Sequence, residues 1–219
     1  NTFAEYRKKL ELNFEQIDLI KFYEKKYNLN IIFSALDFSS YYSLKKMGFK
    51  NFKIPSTISN HKKFIKEMSE QKLSQIIIST GMTDEKYVKF ILEYFKKFRK
   101  IYLLHAVSSY PTFFTNMNLN IIHKYKKLSH KYKNIIPGYS SHDIGNLGSM
   151  LAIASGARMI EKHIKFGVTD WMHFDDTAID VNSELPFFVN DLIKVDKSMG
   201  SELKKVYEFE HHKYSKTKI

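Results

Sequence analysis

Residues 75–107 read QIIISTGMTDEKYVKFILEYFKKFRKIYLLHAV, and this stretch decides the fold. Gln75–Thr80 is an apolar, β-branched run that ends in hydroxyl residues. Gly81 permits a sharp turn and a close backbone approach. Thr83, Asp84 and Glu85 suit the positive end of a helix dipole, and apolar residues then recur at helical spacing. A second apolar run follows, Ile101–Val107. Strand, helix and strand within about thirty residues make a βαβ unit with parallel strands and a right-handed crossover.

Outward from this unit the alternation continues both ways. Candidate strands are Ile31–Ala35, Phe52–Ser56, Ile135–Tyr139 and Ala157–His163. Helical patterns run from Phe14 to Tyr27, where Asn13 and Gln16 stand in capping-box positions, and from about Ser40 to Met47, stopping at Gly48. Others follow Asn60, cover Leu119 to Lys131, run from Leu147 to Ser155 before Gly156, and run from Ser183 to Met199 before Gly200. Regular alternation without a Pro/Gly/Ser-rich linker predicts one α/β domain with a parallel sheet. The spacing fits a TIM (β/α)8-type barrel better than an open doubly wound sheet. About six βα units do not close eight strands, so the expectation is an incomplete barrel whose first two strands are missing. Residues 1–200 form this partial barrel, and 201–219 a short basic tail.

The chain has 219 residues, 43% hydrophobic and 26% charged, a globular rather than disordered composition. It has no cysteine, which excludes disulfides, thiolate zinc sites and thiol catalysis. No apolar run is long enough to cross a bilayer, so no membrane partner is expected. The chain starts at Asn1 without a signal-peptide pattern. It reads as cytoplasmic and as a piece of a longer chain. The net charge of +12 is densest in KKFRK (Lys96–Lys100) and HKYKKLSHKYK (His123–Lys133). In the second, Ile121, Ile122, Tyr125, Leu128 and Tyr132 keep helical spacing, which leaves the lysines on a solvated face. No reader motif accompanies them, so nucleic acid is not an expected partner. A basic field also favours an anionic small-molecule substrate.

Polar residues recur at the carboxyl ends of the candidate strands: Ser34, Ser56, Ser79, Thr80, Ser108, Ser140, His142 and His163. Strand ends meet water and are polar anyway. Yet this is also the edge where parallel α/β folds bind ligands, and serine hydroxyls with nearby backbone N–H groups suit phosphate or carboxylate. Ser140 and His142 share strand parity, as do Glu161 and His163. The two histidines therefore point into one mouth from adjacent strands. There they serve either as structural hydrogen-bonding groups or as ligands of a divalent metal. His105, inside an apolar strand, reads as a core residue. His61, His123, His130, His211 and His212 read as solvated, and His173 shares a loop with Trp171, Met172, Asp175 and Asp176.

ISTGM (Ile78–Met82), LLHAVSSYPT (Leu103–Thr112), GYSSH (Gly138–His142) and IEKHI (Ile160–Ile164), in this order and spacing, resemble the sialic acid synthase family. Lys53-Ile54-Pro55-Ser56 and Phe33-Ser34-Ala35-Leu36-Asp37 are similar to that family's segments at two further strand ends. The resemblance extends from Asn28 or earlier to about Leu185. It implies a TIM barrel that condenses phosphoenolpyruvate with an N-acetylated amino sugar into a nine-carbon 2-keto-3-deoxy sugar acid. It places Ser34, Lys53, Ser56, Ser79 and Ser140 at the phosphoenolpyruvate site. His142 and His163 fall on the ligands of a divalent cation, usually manganese (Mn2+). Tyr110 and Asp175 fall where the family touches the sugar, which makes His142, His163 and Asp175 the catalytic candidates. Ser108 stands where the family often has Asn. A homodimer is implied for the full-length form.

Three departures accompany the resemblance. The family's Ser-Asp-His is here Ser140-Ser141-His142. Its Gly-Pro-Asp-His loop is here His173-Phe174-Asp175-Asp176. No counterpart is present for the first two strands with their glutamate, or for the C-terminal antifreeze-like domain. Rival readings are a phosphoenolpyruvate-dependent synthase of another keto-deoxy sugar acid, and a binding protein that keeps the pocket without the chemistry.

Overall fold

The computed structural model describes residues 5, 8, 10–168 and 174–210. Helices α1 (Phe14–Tyr27) and α2 (Phe38–Lys46) precede the sheet. Strands and helices then alternate as β1 (Lys53–Ile54), α3 (Lys62–Ser69), β2 (Gln75–Ser79), α4 (Glu85–Tyr94), β3 (Lys100–Ala106), α5 (Asn120–Lys131), β4 (Ile135–Ser141), α6 (Leu147–Ala154) and β5 (Ile160–Lys162). A short pair, β6 (Ile164–Lys165) and β7 (Ile179–Asp180), precedes the last described helix, α7 (Leu185–Met199). No helix among the described residues is long and apolar enough to cross a membrane.

The helix starts follow local chemistry. Asn13 accepts from Gln16 N while the Gln16 side chain accepts from Asn13 N, each at 2.9 Å, so two backbone donors of α1 are satisfied reciprocally. Asp84 accepts from Lys86 N and Tyr87 N at the start of α4. Helix α2 begins at Phe38, earlier than its apolar spacing suggests, because the Asp37 carboxylate accepts from Ser40 N at 2.8 Å.

All five strands of the main sheet are parallel and lie side by side in chain order. A doubly wound sheet reverses its order at a switch point, whereas a TIM-type barrel does not. The sheet also curls. Lys53 on β1 and Glu161 on β5 form an ion pair, although three strands lie between them. A flat sheet would hold β1 and β5 about 19 Å apart, at roughly 4.8 Å per strand. The architecture is thus an incomplete TIM-type barrel.

Ile31–Ala35 is not a full strand. Phe33 makes a single parallel bridge to Phe52, with Phe33 N donating to Asn51 O and Lys53 N to Phe33 O. The segment is short because both ends are committed: Ile31 N donates to the Glu24 carboxylate of α1, and Asp37 already caps α2. It holds a sixth strand position, beside β1, without building a ladder.

Register assigns the two faces. Lys53, Ile77 and Tyr102 align across β1, β2 and β3, and Ala106, Ser140 and Glu161 align across β3, β4 and β5. These residues face the inside of the curl. The alternate residues Ile54, Ile76, Ile78, Ile101, Leu103 and Ile135 are buried in one cluster with Phe64, Ile65 and Met68 of α3 and Tyr87, Val88 and Ile91 of α4. Burying each such side chain contributes about 1.5–3 kcal/mol. His105 belongs to this helix-facing set. It is buried, with Nε2 against the Met117 carbonyl at 2.7 Å, as expected for a core histidine. On the inner face Gly138 is required, since a Cβ there would lie 2.3 Å from Leu104 Cδ2 and 2.8 Å from the Met159 carbonyl.

Candidate active site at the carboxyl ends of the strands

A cavity of about 470 Å3 opens at the carboxyl ends of the strands, inside the curl. Ser34, Lys53, Ser140, His142, Glu161 and His163 line it, above a floor that includes Ile77 and Met159. Ser141 and Lys162 line it too, and five of these eight polar residues are those expected from sequence. Glu161 is the inward-facing addition. It lay within the IEKHI motif and shares parity with His163, but nothing local shows that it reaches Lys53. That contact depends on the curl of the sheet.

The Glu161 carboxylate is the electrostatic centre of the cavity. Its Oε1 accepts from Lys53 Nζ and also from Ser140 Oγ at 2.7 Å. Lysine, serine and glutamate thus come from β1, β4 and β5, and their convergence is tertiary.

His142 is held on both ring nitrogens. Nδ1 meets the Val107 carbonyl at 2.7 Å. A carbonyl only accepts, so Nδ1 carries the proton. The Nε2 lone pair then accepts from the Tyr110 hydroxyl at 3.0 Å. Burial pushes the imidazole below its ordinary value, partly opposed by the Val107 carbonyl and the Glu161 charge, so the ring is neutral at pH 7. A neutral ring whose Nδ1–H is fixed by a backbone carbonyl is the usual form of a histidine that binds metal through Nε2.

His163 lies beside it. The two imidazole centroids are 5.6 Å apart at 26°. Tyr110 packs at 4.2 Å from His142 and 5.7 Å from His163, and Phe174 stacks on His163 at 4.4 Å. A cation bound to one nitrogen of each ring, at about 2.1 Å, needs the nitrogens within about 4.2 Å. The 5.6 Å between centroids is compatible with this once Nε2 of His142 exchanges the Tyr110 hydroxyl for the cation. Among the described residues no group of three or more His, Asp or Glu side chains surrounds the point. The remaining donors would come from water and substrate, and with that condition the residues fit a divalent metal.

The other serines form a second cluster at the ends of β1, β2 and β3. Ser56 Oγ donates to Ser79 Oγ at 3.0 Å and accepts from Gly81 N at 3.0 Å. A Cβ on Gly81 would stand 2.4 Å from Ser108 Oγ and 2.6 Å from Ser56 Oγ, so only glycine lets this turn close onto the hydroxyls. Thr80 points the other way, donating to the Leu104 carbonyl and meeting the Tyr125 hydroxyl, each at 2.9 Å. It supports the core rather than the site. Ser108 also borders a larger, separate cavity of about 880 Å3 between the starts of α4 and α5.

Asp175 is not among the residues lining the 470 Å3 cavity. It forms an ion pair with Lys165 at 2.8 Å next to Phe174, whose ring covers His163. Its carboxylate raises the Lys165 ammonium above the ordinary value. Thr169, Asp170, Trp171, Met172 and His173 of the same loop lie outside the described residues, as do His211 and His212.

A hub behind the mouth went unread in the sequence. Asp143, fully buried, accepts from Ser141 Oγ at 2.5 Å, Tyr139 OH at 3.3 Å and Gly148 N at 3.1 Å. Lys162 Nζ donates to Ser141 Oγ at 3.0 Å and to the Asp143 carbonyl. One carboxylate thereby joins the end of β4 to the start of α6, next to His142. The Ser141 that departs from the family's Ser-Asp-His is part of this hub.

Comparison with known proteins agrees with this fold. An uncharacterized protein of Methanocaldococcus jannaschii is 34% identical over 205 residues, covering 91% of this chain and 58% of its own. The N,N'-diacetyllegionaminic acid synthase of Campylobacter jejuni is 30% identical over 207 residues, covering 92% of this chain and 60% of its own. This chain therefore spans somewhat over half the length of these relatives. The crystal structure of an N-acetylneuraminic acid (sialic acid) synthetase from Leptospira borgpetersenii, in complex with citrate, superposes with a TM-score of 0.80 at 27% identity. It covers 90% of this chain and 68% of that one. The NeuB family profile matches residues 1–204, and the chain belongs to the NeuB family.

Proposed function

We propose that this chain carries the phosphoenolpyruvate- and metal-binding part of a synthase that makes nine-carbon 2-keto-3-deoxy sugar acids. The observation that carries the reading is the convergence of Lys53, Ser140, Glu161, His142 and His163 on one cavity at the carboxyl ends of the strands. Family membership and a relative that makes diacetyllegionaminic acid support it.

In this reading Lys53 and Ser140, with Ser34, hold the carboxylate or phosphate of phosphoenolpyruvate by charge-assisted hydrogen bonds. Ser56, Ser79, Ser108 and the Gly81 amide offer a second cluster of hydroxyl and N–H groups for its remaining oxygens. His142 and His163 hold Mn2+, which when bound polarises the sugar carbonyl. Tyr110 shields the two imidazoles and borders the sugar, and Asp175 orients a sugar hydroxyl. C3 of phosphoenolpyruvate bonds to the aldehyde carbon of an N-acetylated amino sugar. A water oxygen bonds to C2, and the C2–O bond to phosphate breaks, releasing inorganic phosphate. Residues 1–200 act as the barrel domain and 201–219 as a tail, and the whole protein works as a cytoplasmic homodimer.

The test is the release of phosphate and formation of keto-deoxy acid from phosphoenolpyruvate by the protein carrying this chain. N-acetylmannosamine or a diacetamido hexose is supplied as acceptor, with Mn2+. Product that is lost in the Lys53→Ala variant is expected. Absence of product with every N-acetylated acceptor would overturn the reading.

A further inference from the structure

We infer that Glu161 is a built-in counter-ion occupying the place of a ligand oxyanion, and that it reserves the cavity for anions of more than one charge. The inference rests on the anion-site reading above and adds a specificity residue to it.

Of the donors that line the cavity, Lys53 Nζ, Ser140 Oγ and the Ser34 hydroxyl, the first two are committed to the same atom, Glu161 Oε1. An oxygen that takes a lysine ammonium and a serine hydroxyl at once makes the contacts an incoming phosphate or carboxylate oxygen would make. The other ammonium at the cavity is turned away, since Lys162 Nζ donates to Ser141 Oγ and the Asp143 carbonyl. The Lys53 side chain is only 14% exposed, so its charge needs a partner when the cavity holds no ligand. Glu161 supplies one. Its own side chain is 36% exposed and stands on β5, which pairs on one side with β4 among the described residues. It has a flexible stem and solvent to move into.

The consequence is a difference of affinities. A singly charged ligand that displaces Glu161 exchanges one carboxylate–ammonium contact for another and gains little. A ligand carrying a phosphate and a carboxylate replaces the lost contact and adds others at the serine cluster. Specificity of this kind comes from an internal competitor rather than from an extra attraction.

The experiment is calorimetric titration with phosphoenolpyruvate and with pyruvate, its singly charged counterpart, in the presence of Mn2+, on the parent chain and on Glu161→Gln. The expected result is about tenfold or more tightening for phosphoenolpyruvate in the variant, together with measurable pyruvate binding that the parent lacks. A charge-assisted contact of about 1.5–3 kcal/mol corresponds to this factor. Glu161→Asp, which keeps the charge but is one methylene shorter, should tighten binding by a smaller factor. It carries the test if the Gln variant fails to fold by circular dichroism. In the Lys53→Ala/Glu161→Gln double variant the gain should vanish. Equal or weaker phosphoenolpyruvate binding in both single variants, with the parent binding it, would overturn the inference and leave the proposed function standing. No binding by the parent or by any variant would overturn both.

Discussion

Replacing Asp143 by alanine should be the most damaging single change near the mouth. Its carboxylate is fully buried and accepts from Ser141 Oγ, Tyr139 OH and Gly148 N. Alanine leaves these three donors without their acceptor. The Ser141 hydroxyl can rotate, and the Tyr139 contact is already long at 3.3 Å. The Gly148 amide, in the first turn of α6, has no such freedom. A buried donor left unsatisfied costs about 1–3 kcal/mol, and removing one partner from a buried charged network costs about 3–5 kcal/mol in total. For a chain of this length each kcal/mol lowers Tm by about 2–4 °C, so a fall of roughly 6–20 °C is expected. Asp143→Asn keeps one carbonyl acceptor and should lose about half as much. Urea unfolding followed by circular dichroism measures both variants. A loss under about 1 kcal/mol in Asp143→Ala would show that the hub does not hold β4 to α6 and would refute the reasoning.

Three further outcomes are expected. Gly138→Ala places a Cβ against Leu104 and the Met159 carbonyl and should destabilise by about 1–3 kcal/mol through overpacking; an unchanged urea midpoint would contradict the inner-face packing. His105 is pushed below its ordinary value, first by burial and against the Met117 carbonyl, so below about pH 6.5 the unfolded chain binds the extra proton and the native one does not. The stability this contributes is present above that pH and is lost as pH falls through it, which should flatten in His105→Gln; an NMR titration of His105 at or above the ordinary histidine value would oppose the sign. His142→Ala and His163→Ala should each weaken Mn2+ binding, followed by the electron paramagnetic resonance of free Mn2+, by at least about tenfold; unchanged binding in either variant would remove that ring from the metal site.

Much of this was legible in the chain because it is local. The alternation of apolar runs with helical spacing gave β1 to β4 within two residues and β5 within three, but not the short pair β6 and β7, and caps such as Asn13 and Asp84 act on backbone groups two or three residues away. Strand parity alone places His142 and His163 on one side. What escaped is tertiary. The composition of Ile31–Ala35 is that of a strand, yet only Phe33 pairs, since pairing depends on the neighbours a segment meets. Glu161 stood in view inside a motif, but its tie to Lys53 spans 108 residues and needs the sheet to curl. Asp143 reads as a loop residue after a histidine and becomes a buried hub only when α6 and β5 close over it.

The most direct test of the account is the affinity of phosphoenolpyruvate, measured by calorimetry with Mn2+, for the parent chain and for Lys53→Ala. Lys53 is the ammonium that faces the cavity, and a charge-assisted contact of about 1.5–3 kcal/mol predicts binding at least about tenfold weaker in the variant. The same affinity in both proteins would contradict the placement of the anion site at the carboxyl ends of β1, β4 and β5.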